Sequence, residues 1–465
     1  MSDTKRVMII GWDCAFPQLF DDEWLARMPN FAKLVKNGTY GPMRSSDPPI
    51  TVPAWTSMFS SRNPGQLGFF GFRNRRIGEY EGKWIATSRA VKVPRIWNIA
   101  SDAGRRCCIF NVPQTFPVSE VNGIMVSSFL TPSTDSEYTY PREFAGELDQ
   151  VTGGYMIDCE NFRTDDKAAL LEQIHEITDK RFIAAKHMLA KEPWDLFAMV
   201  YMGPDRLHHG FWKYYDSDHP KYTPGNPFED AMANYYQKLD VQLGELMEMA
   251  GDETAIFVVS DHGAKAMKGC VNINDWLIDE GLLVLKEPLE GPQRFDEGLV
   301  DWSQTKVWAW GGYYSRVFFN VEGREPQGTI PADEYDDFRA MMIERIEAIP
   351  DDQGSPMNTM ALKAEDLYTG PHIDEAPDLM VYFDALSWRV GQDIGNEAIH
   401  TFDTEIGPDD AVHDFNGIYT SLAPGRTESG PREGLQLMDV APTVLDLMGI
   451  EIPDEMEGSS VYSST

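Results

Sequence analysis

Three short, unbroken apolar runs punctuate the first 260 residues: Val7–Ile10, Phe197–Met202 and Ala255–Val259. Continuous β-rich runs of this kind are the mark of strands buried on both faces. Longer stretches of helical period lie between them. The clearest runs from Asp166 to about Lys191, and a second, Phe228 to Ala250, leads into the third apolar run. The alternation predicts an α/β fold with a largely parallel sheet flanked by helices. After Leu283 the pattern changes. Ser315–Val321 reads as a strand, Gly323–Pro326 as a turn, Ala332–Ile349 as a helix and Asp378–Phe383 as a strand, which predicts a smaller α/β insertion. Gly417–Leu422 then reads as a strand returning to the main sheet, and Leu437–Leu447 as a closing helix. The expected division is a main unit of residues 1–287 and 401–465 with an insertion of residues 288–400.

Each of the three runs ends in a carboxylate: Gly11-Trp12-Asp13, Gly203-Pro204-Asp205 and Ser260-Asp261-His262. Ligands of open α/β sheets sit beyond the carboxyl ends of the strands, so these three Asp residues have a route to one site. On a helix, Asp205 and His209 lie four apart on one face, and Asp205 and His208 three apart nearly share it. Carboxylate plus imidazole suits zinc or manganese. A surface Asp beside two polar histidines accounts equally well for the motif. Asp261 and His262 both reach a metal if the chain turns after them, and Gly263 permits the turn. Asp218-His219 has no strand before it and reads as a decoy.

The segment Pro48-Pro49-Ile50-Thr51-Val52-Pro53 places Thr51 at a helix entrance, with Pro53 in the first turn. Free N–H groups and the helix dipole make that an anion-binding position. The plain alternative is an N-cap threonine. Among the remaining histidines, His413, in a loop just before a strand, and His400 are equal candidates by composition. His175 and His187 belong to a helix as packing or surface residues, and His372 carries no signal.

Charge changes the picture. Forty Lys and Arg stand against 74 Asp and Glu, a formal net charge of −34. Such a surface disfavours nucleic acid polymers and anionic membranes. A phosphate site in this chain needs its own positive charge, and bound dications are the obvious source. The acidity either aids solubility only or reflects adaptation to high salt. Five cysteines (Cys14, Cys107, Cys108, Cys159 and Cys270) form no C-x-x-C pair, which fits a reducing compartment and no zinc ribbon. Val7–Ile10 is too short for a secretory h-region, and no apolar stretch approaches the ~20 residues of a membrane span. The expectation is a cytoplasmic protein without membrane insertion; its oligomeric state is left open.

The ordered set (Asp13 after a strand, Thr51 at a helix entrance, Asp205-x-x-x-His209, Ser-Asp261-His262-Gly and a late His413) resembles the nucleotide pyrophosphatase/type I phosphodiesterase branch of the alkaline phosphatase superfamily. Within it, the prokaryotic group of predicted phosphohydrolases and phosphomutases is the nearest pattern. Further similarity lies in Met28–Leu34, Thr51–Ser57, Arg62–Gly65, Asn320–Gly328 and Met438–Thr443. The resemblance spans nearly the full chain and implies an alkaline phosphatase-like fold with two divalent metal ions, zinc first and manganese or iron as alternatives. It assigns one ion to Asp205, His209 and His413, and the other to Asp13, Asp261 and His262 with Thr51 Oγ as a further ligand. The choice of His209 over His208, and of His413 over His400, comes from the family alone.

The resemblance implies a metal-dependent phosphodiesterase acting on a small-molecule phosphoester through a phospho-threonine at Thr51. One departure stands out. The family often carries an asparagine after the nucleophile helix to hold a phosphate oxygen, and here Phe72 occupies the place, with Arg73 and Asn74 beside it. That leaves a phosphomonoesterase, a phosphomutase and a catalytically inactive binding protein as alternatives. A threonine in place of Cys or Ser argues against a formylglycine sulfatase. The aromatics Trp12, Phe16, Trp55, Phe69, Phe70 and Phe72 crowd the two catalytic loops, as core or as a wall for the leaving group.

Overall fold

The computed structural model describes residues 6–191 and 193–462. Strands β1 (Arg6–Trp12), β2 (Thr39–Arg44), β3 (Cys107–Phe110), β4 (Gly123–Val126), β5 (Thr139–Tyr140), β6 (Leu196–Tyr201), β7 (Thr254–Val259) and β8 (Gly263–Ala266) come in chain order. They are followed by β9 (Val307–Trp310), β10 (Ser315–Phe319), β11 (Met360–Lys363), β12 (Leu379–Tyr382), β13 (Ala411–Asp414) and β14 (Asn416–Leu422). The principal helices are α1 (Pro29–Asn37), α2 (Thr51–Ser60), α3 (Lys167–Lys191), α4 (Gly203–Tyr215), α5 (Ala231–Ala250), α6 (Tyr335–Glu347) and α7 (Val440–Leu447).

The main sheet has ten strands and runs β2-β14-β7-β1-β6-β3-β4-β5, with short segments near residues 430 and 435 pairing to β2. The run β7-β1-β6-β3-β4 is parallel, and β14 is antiparallel to both β7 and β2. This is the α/β, largely parallel architecture that the apolar runs predict. The reason is visible in β1. Met8, Ile10 and Trp12 enter the core on one face, while Val7 and Ile9 enter the core on the other. Helices α1, α3, α4 and α5 supply the first core; α2 and α7 supply the second. Each fully buried aliphatic side chain in such a strand contributes about 1.5–3 kcal/mol, so the central strands are firmly held.

The segment after residue 300 forms a separate four-stranded antiparallel sheet, β9-β10-β12-β11, covered by α6. Its core also draws on Val271, Trp276 and Leu283. Two boundaries differ from the sequence expectation. Residues 332–334 form a single 3-10 turn before α6, and 437–439 another before α7. His413, expected in a loop, lies on strand β13, where it pairs with Ala264 of β8.

Candidate active site

All three carboxylates lie where their strands end. Asp13 directly follows β1, Asp205 sits in the first turn of α4 after β6, and Asp261 follows β7. Parallel neighbours β7, β1 and β6 bring these ends together. The antiparallel pairing of β8 with β13 returns His413 to the same place from 151 residues downstream of His262. Asp13, Thr51, Asp205, His209, Asp261, His262 and His413 are all buried.

They form two adjoining groups. Nε2 of His209 lies 3.4 Å from Asp205 Oδ1, and Nε2 of His413 lies 3.8 Å from the same oxygen. Nε2 of His262 lies 3.2 Å from Asp261 Oδ2 and 4.0 Å from Asp13 Oδ1. The ring of His262 stacks on that of His413 at 3.8 Å, so the groups touch. In each group the ligand atoms all lie within 4.8 Å of one another.

Surrounding contacts turn each ring to face inward. His413 Nδ1 contacts the Pro49 carbonyl at 2.8 Å, His262 Nδ1 the Gly263 carbonyl at 3.1 Å, and His209 Nδ1 the Asp409 carboxylate at 2.8 Å. With every Nδ1 engaged, every Nε2 is left for the centre, as in a histidine metal site. The donor set fits divalent cations. Asp13 Oδ1, Asp261 Oδ2 and His262 Nε2 are buried with no hydrogen-bond partner among the described residues. Orphaned donors of this kind are costly unless something charged completes them.

The electrostatics say the same. Burial, then Asp261 and Asp205, raises Asp13 well above the usual carboxylate range. Burial, with Asp205, raises Asp261 likewise. Burial would raise Asp205 too, but His209 and Arg206 hold it well below its ordinary value. Burial opposes charge on His209, yet Asp409 and Asp205 push it up to about 9. Burial lowers His262 to about 4, and burial with the neighbouring imidazoles lowers His413. Two of the three carboxylates thus favour a proton where a cation would otherwise sit.

Thr51 opens α2, and the N-cap position belongs to Ile50. The hydroxyl makes no hydrogen bond among the described residues, so it is not consumed in capping. It lines a cavity of about 640 Å³ together with Asp205, His209, His413, Phe72, Arg73 and Tyr313.

The other candidates part from the centre. His208 turns into the core between Phe16 and Trp212, its Nε2 contacts Tyr236 Oη at 3.0 Å, and its pKa is lowered by burial to about 3. His400 lies on a short strand beside Trp388. His219 contacts the Asp410 carbonyl, His175 packs on Tyr235, His187 pairs with Glu147, and half-buried His372 pairs with Glu375. Of the aromatic group, Trp12, Phe16, Trp55, Phe69 and Phe70 are core; Phe72 lines the cavity. Trp55 has a further task, since its Nε1 donates to Asp13 Oδ2 at 2.6 Å. Asn74 is spent on a turn, accepting from Phe70 N and donating to the Gly71 carbonyl.

Sequence reasoning missed Asp409. It accepts from Tyr313 Oη at 2.9 Å and from Arg163 Nε at 3.1 Å while it holds His209. It lies 200 residues from His209 in the chain, and no local spacing announces it.

Strand-end carboxylates, inward-facing imidazoles and a threonine at a helix entrance thus meet at one end of the parallel sheet. The chain belongs to the type I phosphodiesterase/nucleotide pyrophosphatase family, which it matches over residues 7–409. It is similar in fold to human ectonucleotide pyrophosphatase/phosphodiesterase 5, with a TM-score of 0.54 and 14% identity, covering 98% of this chain and 97% of that one. It is 43% identical over 61 residues to the 2,3-bisphosphoglycerate-independent phosphoglycerate mutase of Paracoccus denitrificans (strain Pd 1222). That match spans 13% of this chain and 12% of the mutase. Among the described residues, no helix is long and apolar enough to cross a membrane.

Proposed function

We propose that this protein is a two-metal phosphoester hydrolase, phosphodiesterase-like, that uses Thr51 as its nucleophile. The observation that carries the reading is the contact between two three-residue donor groups, with Thr51 in the cavity that Asp205, His209 and His413 border. Asp205, His209 and His413 would hold one ion; Asp13, Asp261 and His262, with Thr51 Oγ, the other. Zinc is the first candidate, with manganese or iron as alternatives. The ions would supply Lewis acidity that eases ionisation of the Thr51 hydroxyl and neutralises charge on the transferring group.

The chain's own residues do the rest. Thr51 Oγ bonds to phosphorus as the bond to the leaving oxygen breaks, giving a phospho-threonine. Water then cleaves that ester and releases the product. The N–H groups of Thr51 and Val52 have no intrahelical partner, and with the dipole of α2 they favour an anion there. Asp409 fixes the tautomer of His209. Residues 288–400 would act as the specificity-setting insertion on a unit of residues 1–287 and 401–465, since Tyr313, Tyr314 and Arg316 line the cavity from that side.

A mutase or monoesterase on the same centre is favoured by one observation. The amide expected after the nucleophile helix is absent from the cavity, and Phe72 and Arg73 line it instead. Turnover of a chromogenic phosphodiester against the matching monoester, with zinc or manganese and with Thr51→Ala as control, separates these. A faster diester and a dead variant support the phosphodiesterase; a faster monoester shifts the reading to phosphatase or mutase, which product analysis in labelled water divides. No turnover of either ester, with no metal retained on purification, would leave a binding protein.

A further inference from the structure

The cavity beside Thr51 continues into a second space of about 270 Å³, and the two share Arg73, Arg294, Gly311, Arg316 and Gln392. Three guanidinium groups therefore line one passage in a protein of net charge −34. Acidic side chains are abundant enough to pair with every one of them, yet the pairing is incomplete.

Arg316, on β10, is nine-tenths buried. Its Nη1 donates to the Arg73 carbonyl, and its guanidinium lies 5.1 Å from the Trp310 ring and 5.8 Å from the Tyr314 ring. It has no carboxylate partner among the described residues, and neither does exposed Arg73. Arg294 lies 3.5 Å from Glu405 and 3.8 Å from Asp393, but Glu405 is already forked onto Arg389 at 2.7 and 2.8 Å. The two other charged groups of the inner space are engaged locally. Asp296 accepts from Gly298 N at 2.8 Å, and Lys83 pairs with Glu297 at 2.7 Å. Burial lowers the pKa of both Arg294 and Arg316, and Arg73 adds like-charge repulsion to each.

A buried guanidinium without a carboxylate is unfavourable, and two more beside it make it worse. Planar forks of this kind match the oxygens of a phosphate or carboxylate. We propose that Arg73, Arg294 and Arg316 form a subsite for a second anionic group, a phosphate or a carboxylate, carried by the part of the substrate distal to the scissile ester. The substrate class narrows accordingly to phosphoesters whose other portion is itself acidic: a nucleotide, a phosphorylated sugar or a phosphorylated hydroxy acid. A neutral lipid or sugar leaving group would leave the cluster unanswered. The inference rests on the phosphoester reading for what sits at Thr51, but its test reads binding.

The test is calorimetric titration of the zinc- or manganese-loaded protein with methylphosphonate, with alkane bisphosphonates of increasing chain length, and with the matching phosphonocarboxylates. One chain length should bind at least about tenfold tighter than methylphosphonate, the size of one hydrogen bond to a charged group. The series that shows the gain names the group. Arg316→Gln should collapse the ratio towards one, and so should Arg73→Gln, whose exposed position spares the fold. A gain lost in these variants supports the subsite even if no ester is ever turned over. Turnover without any gain, or a gain that survives both substitutions, overturns it.

Discussion

Asp13→Asn separates stability from metal binding. Asp13 Oδ1 is buried without a hydrogen-bond partner among the described residues, and Asp261 and Asp205 push against its charge. In metal-free protein the carboxylate is therefore a liability. Relief of one uncompensated buried polar atom is worth about 1–3 kcal/mol. Unfolding entropy is about 2.1 cal/mol/K per residue, so a chain of this length loses roughly 1 kcal/mol per degree. The variant should melt about 1–3 °C above wild type in chelator. Metal reverses the order. One ion at a hundred times its dissociation constant adds about 2.7 kcal/mol, so two raise wild type by about 5 °C, and a variant with one damaged site gains only about half of that. The sign with pH follows. Asp13 and Asp261 are raised in the folded state, so at these two groups metal-free protein binds more protons folded than unfolded. Their contribution falls as pH rises from the ordinary carboxylate value towards their folded-state values, and Asp13→Asn should flatten that slope. Differential scanning calorimetry in chelator and in zinc measures all of this. An Asp13→Asn protein less stable than wild type in chelator, or equally stabilised by metal, would refute the reasoning.

Other outcomes follow from the same geometry. Thr51→Ala should lower turnover by ~10³-fold or more while metal content stays within error, and Thr51→Ser should restore part of it; full activity in the alanine variant removes Thr51 from the chemistry. Asp409→Asn should weaken metal affinity or activity by about 10–100-fold by freeing the His209 ring, and unchanged zinc binding and kcat would show that Asp409 does not position it. Gly11→Ala would set a methyl 2.4 Å from Trp55 Cη2 and 2.8 Å from Val200 Cγ2. It should cost about 1–3 kcal/mol and disturb the Trp55 bond to Asp13, and a melting temperature equal to wild type would contradict it. If the −34 charge reflects a salt-rich setting, melting temperature should climb steadily across a KCl series; a flat series ends that idea.

The central strands were legible because burial on both faces leaves unbroken apolar runs, and Asp13, Asp205 and Asp261 were legible because each closes such a run. Their convergence follows from parallel order, which a strand-end rule anticipates. Local spacing could not separate His208 from His209. Both follow Asp205 on one helix, and only packing against Phe16, Trp212 and Tyr236 shows which turns into the core. His413 read as a loop residue because β13 has only four residues and gets its partner from β8, far upstream. Asp409 and the arginine passage were invisible for the same reason: Arg316 meets the Arg73 carbonyl across 243 residues, and no periodicity records such a meeting.

Strand β14 has a consequence for how the protein is made. It lies between β2 and β7, so the sheet cannot close around β2 until residue 422 has left the ribosome. His413 arrives with it. At about 5–20 residues per second, an emerging chain waits tens of seconds between β2 and its neighbour. During that time β2 is an open edge and the group of Asp205, His209 and His413 stays incomplete. On the proposed reading catalytic competence therefore arrives in one late step, and a chain cut short before β13 would keep nearly every sequence motif of its family but lack the centre proposed above.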